Sequence, residues 1–104
     1  MSRERLPNRR QSELFGFTHG SIEYVATVSR YPNGRLAEMF LSCTKAGSQA
    51  DSAARDAAIV CSIALQFGAD AGAIRHALGR NAAGIAASPL GAALDNLAER
   101  EALV

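Results

Sequence analysis

Between Tyr31 and Gln66 the chain reads YPNGRLAEMFLSCTKAGSQADSAARDAAIVCSIALQ, which is a turn, an alternating strand, a basic Gly-containing loop and a long apolar helix. The helix is predicted over Gln49 to Phe67, stopped by Gly68. Asp51, Arg55, Ser62 and Gln66 fall on one narrow stripe at helical spacing, while nearly every other position from Ala57 to Leu65 is apolar. A helix apolar over most of its circumference is buried on more than one side. A sheet covers one side, so later helices or a second subunit must cover the rest. Cys61 lies in the apolar part and reads as a small buried hydrophobe rather than a nucleophile.

The strands come before that helix. Glu13 to His19 alternates, with Phe15 and Phe17 on one face. Gly16 between them suggests a bulge or a close backbone approach. Ser21 to Tyr31 is rich in β-branched and aromatic residues, with Ile22, Tyr24, Ala26 and Val28 pointing one way. Pro32-Asn33-Gly34 is a hairpin turn, since Gly supplies the positive φ that the corner needs. Arg35 to Cys43 follows, with Ala37, Met39, Leu41 and Cys43 as its apolar face and Glu38 on the other. Short connections between three such strands predict an antiparallel meander with one buried face.

Beyond the long helix, Asp70 caps a short helix to Leu78, with Ile74, Ala77 and Leu78 inward and Arg75 and His76 outward. Ser88-Pro89 opens a last helix to about Arg100, with Leu90, Ala93, Leu94 and Leu97 as its stripe. The fold class is therefore α+β: a three-stranded antiparallel meander packed on one long helix, followed by two short helices. The expected organisation is a basic arm over residues 1–12 and a single domain over residues 13–101.

Composition narrows the function classes. The aromatic share is 6% and there is no Trp, so the core is built from small aliphatic side chains, and homo-oligomerisation is expected to supplement it. A net charge of +1 provides no global polyanion-binding field. Arg3, Arg5, Arg9 and Arg10 nevertheless crowd the arm. Cys43 and Cys61 stand in unrelated contexts, without the Cys/His spacing of a metal site or the framework of a secreted disulfide scaffold. No apolar run approaches the length of a membrane span, and the expected compartment is cytoplasmic.

Little in the chain points to a reaction. His19 and His76 have no sequence reason to meet, and no nucleophile, base and metal stand in plausible relation. Glu38 sits mid-strand, where a carboxylate needs a partner, and Arg30 or Arg35 are the cross-strand candidates. Lys45, Gly47 and Ser48 lie at a helix N-terminus, a generic anion site without P-loop spacing.

Taken together, LPNRR near the start, RYPNGRLAEMFL, TKAGS, DAAIVCSIALQFGAD and SPLGAALD resemble a TSCPD-type domain. This is the small domain at the C-terminal end of adenosylcobalamin-dependent ribonucleotide reductases, which also occurs as short free-standing proteins. The likeness runs from Leu6 to Asp95. Its most telling parts are Gly34-Arg35-x-x-Glu38-x-Phe40, Lys45-x-Gly47-Ser48, and the helix end Ser62, Leu65 and Gly68. The Thr-Ser-Cys-Pro-Asp signature itself and the clustered cysteines of some relatives are absent, so no metal or redox role carries over.

The resemblance implies kinship with one domain rather than reductase activity, because the barrel, radical cysteine and redox cysteine pair have no room in 104 residues. It implies a non-catalytic accessory or regulatory module of deoxynucleotide metabolism, binding a nucleotide-like anion or a protein partner. The expected site is a basic patch of Arg9, Arg10, Arg35, Glu38, Lys45, Gly47 and Ser48, where arm, third strand and helix N-terminus converge. The reductase large chain is the expected protein partner, and adenosylcobalamin would be met only through it. One alternative is a nucleic-acid-binding module, with the Arg arm on phosphates and Tyr24 or Tyr31 stacking on bases. The other is a homo-oligomeric scaffold.

Overall fold

The computed structural model describes residues 2–8 and 12–102. Arg9 and Arg10, two of the expected site residues, lie outside the described residues. The architecture is the α+β arrangement expected. Strands β1 (Ser12–His19), β2 (Ile22–Arg30) and β3 (Leu36–Cys43) precede helices α1 (Gln49–Gln66), α2 (Ala71–Ala77) and α3 (Pro89–Ala102). The sheet is antiparallel, in the order β1-β2-β3.

Gly20 and Ser21 join β1 to β2 with φ of 57° and 65°, the two left-handed residues of a type I′ turn that matches the strand twist. The ladder then runs unbroken from His19↔Ile22 to Ser12↔Ser29. Gly16 therefore forms no bulge: it pairs with Val25 like any strand residue. The irregularity falls instead between Ser29 and Arg30 on β2. There the Tyr31–Arg35 turn, with Gly34 at φ 90° and the Asn33 side chain accepting from the Arg35 N–H, feeds into β3.

Alternation sends Phe15, Phe17, Tyr24, Ala26, Val28, Met39, Leu41 and Cys43 to one face. That face is covered by Ala54, Ala58, Cys61 and Leu65 of α1 and by Leu90, Ala93, Leu94 and Leu97 of α3. Each fully buried aliphatic side chain stabilises the fold by about 1.5–3 kcal/mol. The Ala54 and Ala58 positions let α1 approach β3 closely.

The polar stripe of α1 has a definite use. In a meander, alternate residues of the outer strand turn their N–H and C=O groups away from the sheet. On β3 these groups meet the stripe. The Asp51 carboxylate accepts from the Cys43 N–H at 3.0 Å. The Ser62 hydroxyl accepts from the Met39 N–H at 2.9 Å and lies 2.8 Å from the Met39 carbonyl oxygen. The Gln66 amide donates to the Ala37 carbonyl at 3.1 Å. Asp51, Ser62 and Gln66 are all buried. The helix thus closes the sheet edge with side chains as well as covering its face.

Ser48 caps α1 by accepting from the Asp51 N–H. The other end closes in a Schellman motif: Ala69 N–H reaches the Ala64 carbonyl and Gly68 N–H the Leu65 carbonyl, with Gly68 at φ 105°. The later helices cover only part of the remaining apolar surface of α1, and Ile59, Val60, Ile63 and Phe67 stay 39–66% exposed. On α2, Ile74 and Leu78 pack on the core as expected, while Ala77 is exposed. Arg75 departs from its expected outward position and reaches Asp95 on α3 at 2.7 Å.

Candidate functional site

The most site-like feature is a cleft of about 300 Å³ between the β2–β3 turn, the start of α2 and the C-terminal half of α3. Its lining includes Leu36, Leu94 and Leu97, which are only 3–6% exposed, and the arginines Arg30, Arg35 and Arg75. Each arginine is held differently. Arg30, last in β2, bonds Glu101 at 2.7 Å, with Glu13 at 3.5 Å. Arg75 is held by Asp95, which also takes Arg80 at 2.7 Å. Hydrogen bonds from Arg80, reinforced by those from Arg75, lower the Asp95 carboxyl to a pKa of about 2 against the pull of its partial burial.

Arg35 follows the turn glycine and is the best-organised member. One guanidinium nitrogen donates to the Leu65 carbonyl at 2.8 Å, at the negative end of α1. Another bonds Glu4 of the arm at 2.7 Å. The guanidinium carbon lies 4.6 Å from the centre of the Tyr31 ring. Tyr31 in turn donates to the Glu4 carbonyl, and the Glu4 N–H to the Gln66 carbonyl. Burial, with the Glu4 charge adding to it, raises the Tyr31 phenol pKa. The described part of the arm is therefore strapped across the C-terminal end of α1, and Arg3 bonds the Gln66 side chain there.

Lys45, Gly47 and Ser48 lie at the other end of the molecule from Arg35. The TKAGS loop turns the chain back, so α1 runs antiparallel to β3, and its N-terminus faces Cys43 while its C-terminus faces Arg35. The eight residues of β3 span about 26 Å at strand rise. The expected convergence of arm, third strand and helix N-terminus is thus replaced by two separate ends. At the Lys45 end the Gly47 N–H is engaged by the Asp51 carboxylate at 3.1 Å. Asp51 also takes the Cys43 N–H and Arg55. The Cys43 N–H first, then Arg55 and the Gly47 N–H, hold the Asp51 carboxyl at a pKa of about 2. The anion at this helix start is the protein's own.

Glu38 is buried beside Ser29 in the β2–β3 ladder, 7% exposed. Tyr24 and Tyr31 are each 3% exposed, so neither offers a ring face for base stacking. His19 serves the fold: its Nε2 lies 3.0 Å from the Ala86 carbonyl oxygen, tying the first hairpin to the loop before α3. Sequence reasoning misses Arg75 as a cleft residue and sees Arg30 only as a partner for Glu38. The available signal for Arg75 is its basic position in the last turn of a helix that must pack on α3. Among the described residues, no group of three His, Cys, Asp or Glu could hold a metal ion, and no helix is long and apolar enough to cross a membrane.

A stretch of 66 residues, 64% of the chain, is 39% identical to part of a vitamin B12-dependent ribonucleotide reductase from Rhodopirellula baltica. The stretch makes up 6% of that enzyme, so the chain is related to a small segment of it. No family model and no solved structure matches the chain.

Proposed function

We propose that this chain is a TSCPD-type, non-catalytic accessory module of deoxynucleotide metabolism that binds a nucleotide-like anion in the arginine cleft. The observation behind this reading is the presence of Arg30, Arg35 and Arg75 in the lining of one cleft. The phosphates of a nucleotide ask for such cations. Arg35 is the anchor, pre-oriented by Tyr31 and the end of α1, and Arg9 and Arg10 of the arm are the additional cations of the proposal. The carboxylate now on Arg30, Glu101, is 59% exposed, and surface pairs of this kind contribute about 0–1 kcal/mol. A phosphate can replace it at small cost.

Lys45, Gly47 and Ser48 are assigned a secondary place, since the Gly47 N–H and the Ser48 hydroxyl already serve the start of α1. Glu38 is assigned to the sheet that carries Arg35. Adenosylcobalamin would be met only through a reductase large chain, for which the exposed face of α1 is the natural contact. The test is thermal melting of the purified chain with ribonucleotides, deoxynucleotides, adenosylcobalamin and short DNA at low and moderate salt. A ligand far above its Kd raises stability by a few kcal/mol. A salt-tolerant shift with one nucleotide, lost in Arg35→Ala and kept in Lys45→Ala, is expected. A shift given by DNA alone and fading with salt would transfer the function to nucleic-acid binding.

A further inference from the structure

We propose that β1 pairs antiparallel with β1 of a second copy about a two-fold axis through Gly16, joining the two sheets into one of six strands. The hydrogen-bond phase of β1 follows from its turn. In a two-residue hairpin the flanking pair, here His19 and Ile22, is hydrogen-bonded, and bonded and non-bonded pairs alternate from there. Phe17 and Phe15 therefore bond β2, while Leu14, Gly16 and Thr18 aim their N–H and C=O groups outward. The same alternation carried across β2 turns Met39 and Cys43 outward on β3, where α1 side chains bond them.

Among the described residues nothing comparable covers β1. It is an end strand, and among the described residues no turn, loop or cap bond reaches the backbone of Leu14, Gly16 or Thr18. The usual protections of an open edge are also missing. The strand has no bulge, no proline and no lysine, its only carboxylate is Glu13, and Leu14 is 69% exposed.

The occupant is written into the strand. ELFGFTH reads nearly alike in both directions about Gly16. Pairing centred there sets Gly16 against Gly16 and Leu14 against Thr18 of the second copy, so all three outward residues find outward partners. It also sets Phe15 against Phe17 twice, and Glu13 against His19 twice, an acid opposite an imidazole at each end. Centring the pairing on Phe15 instead puts Glu13 opposite Phe17 and sets Phe15, whose backbone already bonds β2, on the axis. The pairing does not rest on the arginine cleft, although Glu13 lies 3.5 Å from Arg30 of its lining.

Sedimentation and light scattering of the full chain test it, together with amide exchange. A dimer is expected in which the amides of Leu14, Gly16 and Thr18 are protected. Thr18→Pro removes an N–H the monomer leaves unused and is expected to raise the dimer Kd at least tenfold. Glu13→Lys is expected to weaken the dimer, and adding His19→Glu to restore it, with circular dichroism confirming that each variant folds. A chain monomeric up to about 1 mM would overturn the proposal. So would a dimer in which these three amides exchange like loop amides, or one indifferent to the charge swap. Capture of a foreign strand peptide by a monomeric chain would equally overturn self-pairing.

Discussion

The two edges of the sheet face the same physical problem and meet it in opposite ways. On β3, Asp51, Ser62 and Gln66 reach from α1 to the outward backbone groups of Cys43, Met39 and Ala37. On β1 no turn, loop or cap bond from the described residues reaches the outward groups of Leu14, Gly16 and Thr18. An edge sealed by buried side chains is bound to its own chain, because each removed bond leaves a buried N–H or C=O unpaired. An open edge is solvated and costs little until another strand arrives. The β3 edge is thus tied into the fold by side-chain bonds, while among the described residues no turn, loop or cap bond reaches the outward groups of β1.

The sharpest way to break that contrast is Ser62→Ala. It leaves the buried Met39 N–H without its partner, and such losses cost about 1–3 kcal/mol. For a domain of this size that lowers Tm by roughly 4–8 °C per kcal/mol, measurable by thermal unfolding. An unchanged Tm would mean that α1 covers β3 without bonding its edge.

Asp51→Asn comes next, and its mark is on pH dependence. The Asp51 carboxyl sits at a pKa of about 2, below the ordinary aspartate value of 3.8. Its contribution is therefore fully present above about pH 4 and is lost as the pH falls towards 2. The wild type is expected to lose stability over that window, and Asp51→Asn to show a shallower loss in urea unfolding between pH 2 and 5. Asp95, also at about 2, keeps the remainder of the limb. Equal acid limbs in both proteins would show that the Asp51 charge is not what secures the β3 edge.

These sites also mark how far the sequence can be read. The meander, the long helix and both short helices are legible from alternation, the Pro32-Asn33-Gly34 turn and the Ser48, Asp70 and Ser88 caps, because those signals are local. The stripe of Asp51, Ser62 and Gln66 is visible as a stripe, but its partners are backbone groups of β3, which no side-chain pattern reveals. Gly16 reads as a bulge or a close backbone approach because a strand glycine has no side chain to pack. The ladder shows it paired, in a stretch whose mirror order matters only if a second strand lies alongside. A meeting of Arg35 with Lys45 is ruled out by direction: a short strand-to-helix loop forces the helix back along the strand and sends the helix N-terminus away from Arg35. Of the cleft, only Arg35 is legible as a site residue, since Arg75 joins it through Asp95, twenty positions along the chain.

On the open edge, Leu14→Lys is expected to change monomer stability by no more than about 0.5 kcal/mol, since Leu14 is 69% exposed and touches no sealed backbone group. Denaturant unfolding at low concentration, where the chain is monomeric, reads this directly. A loss as large as that of Ser62→Ala would show that β1 contributes to the fold as much as β3 does, and the contrast between the edges would fall.

The smallest expected effect concerns the cleft. Glu101→Ala removes the exposed partner of Arg30 and is expected to shift stability by about 0–1 kcal/mol. It also leaves Arg30 with only Glu13, at 3.5 Å, as a carboxylate partner among the described residues and takes a negative charge off the cleft wall. Affinity for a nucleotide-like anion should therefore rise while Tm without ligand stays nearly constant, read by titration calorimetry and by melting on the same sample. If Glu101→Ala instead lowers Tm by several degrees and leaves anion affinity unchanged, the Arg30–Glu101 pair belongs to the closure of α3 on the sheet. Arg30 would then stand with the sealed side of the molecule and leave the anion cleft to Arg35 and Arg75.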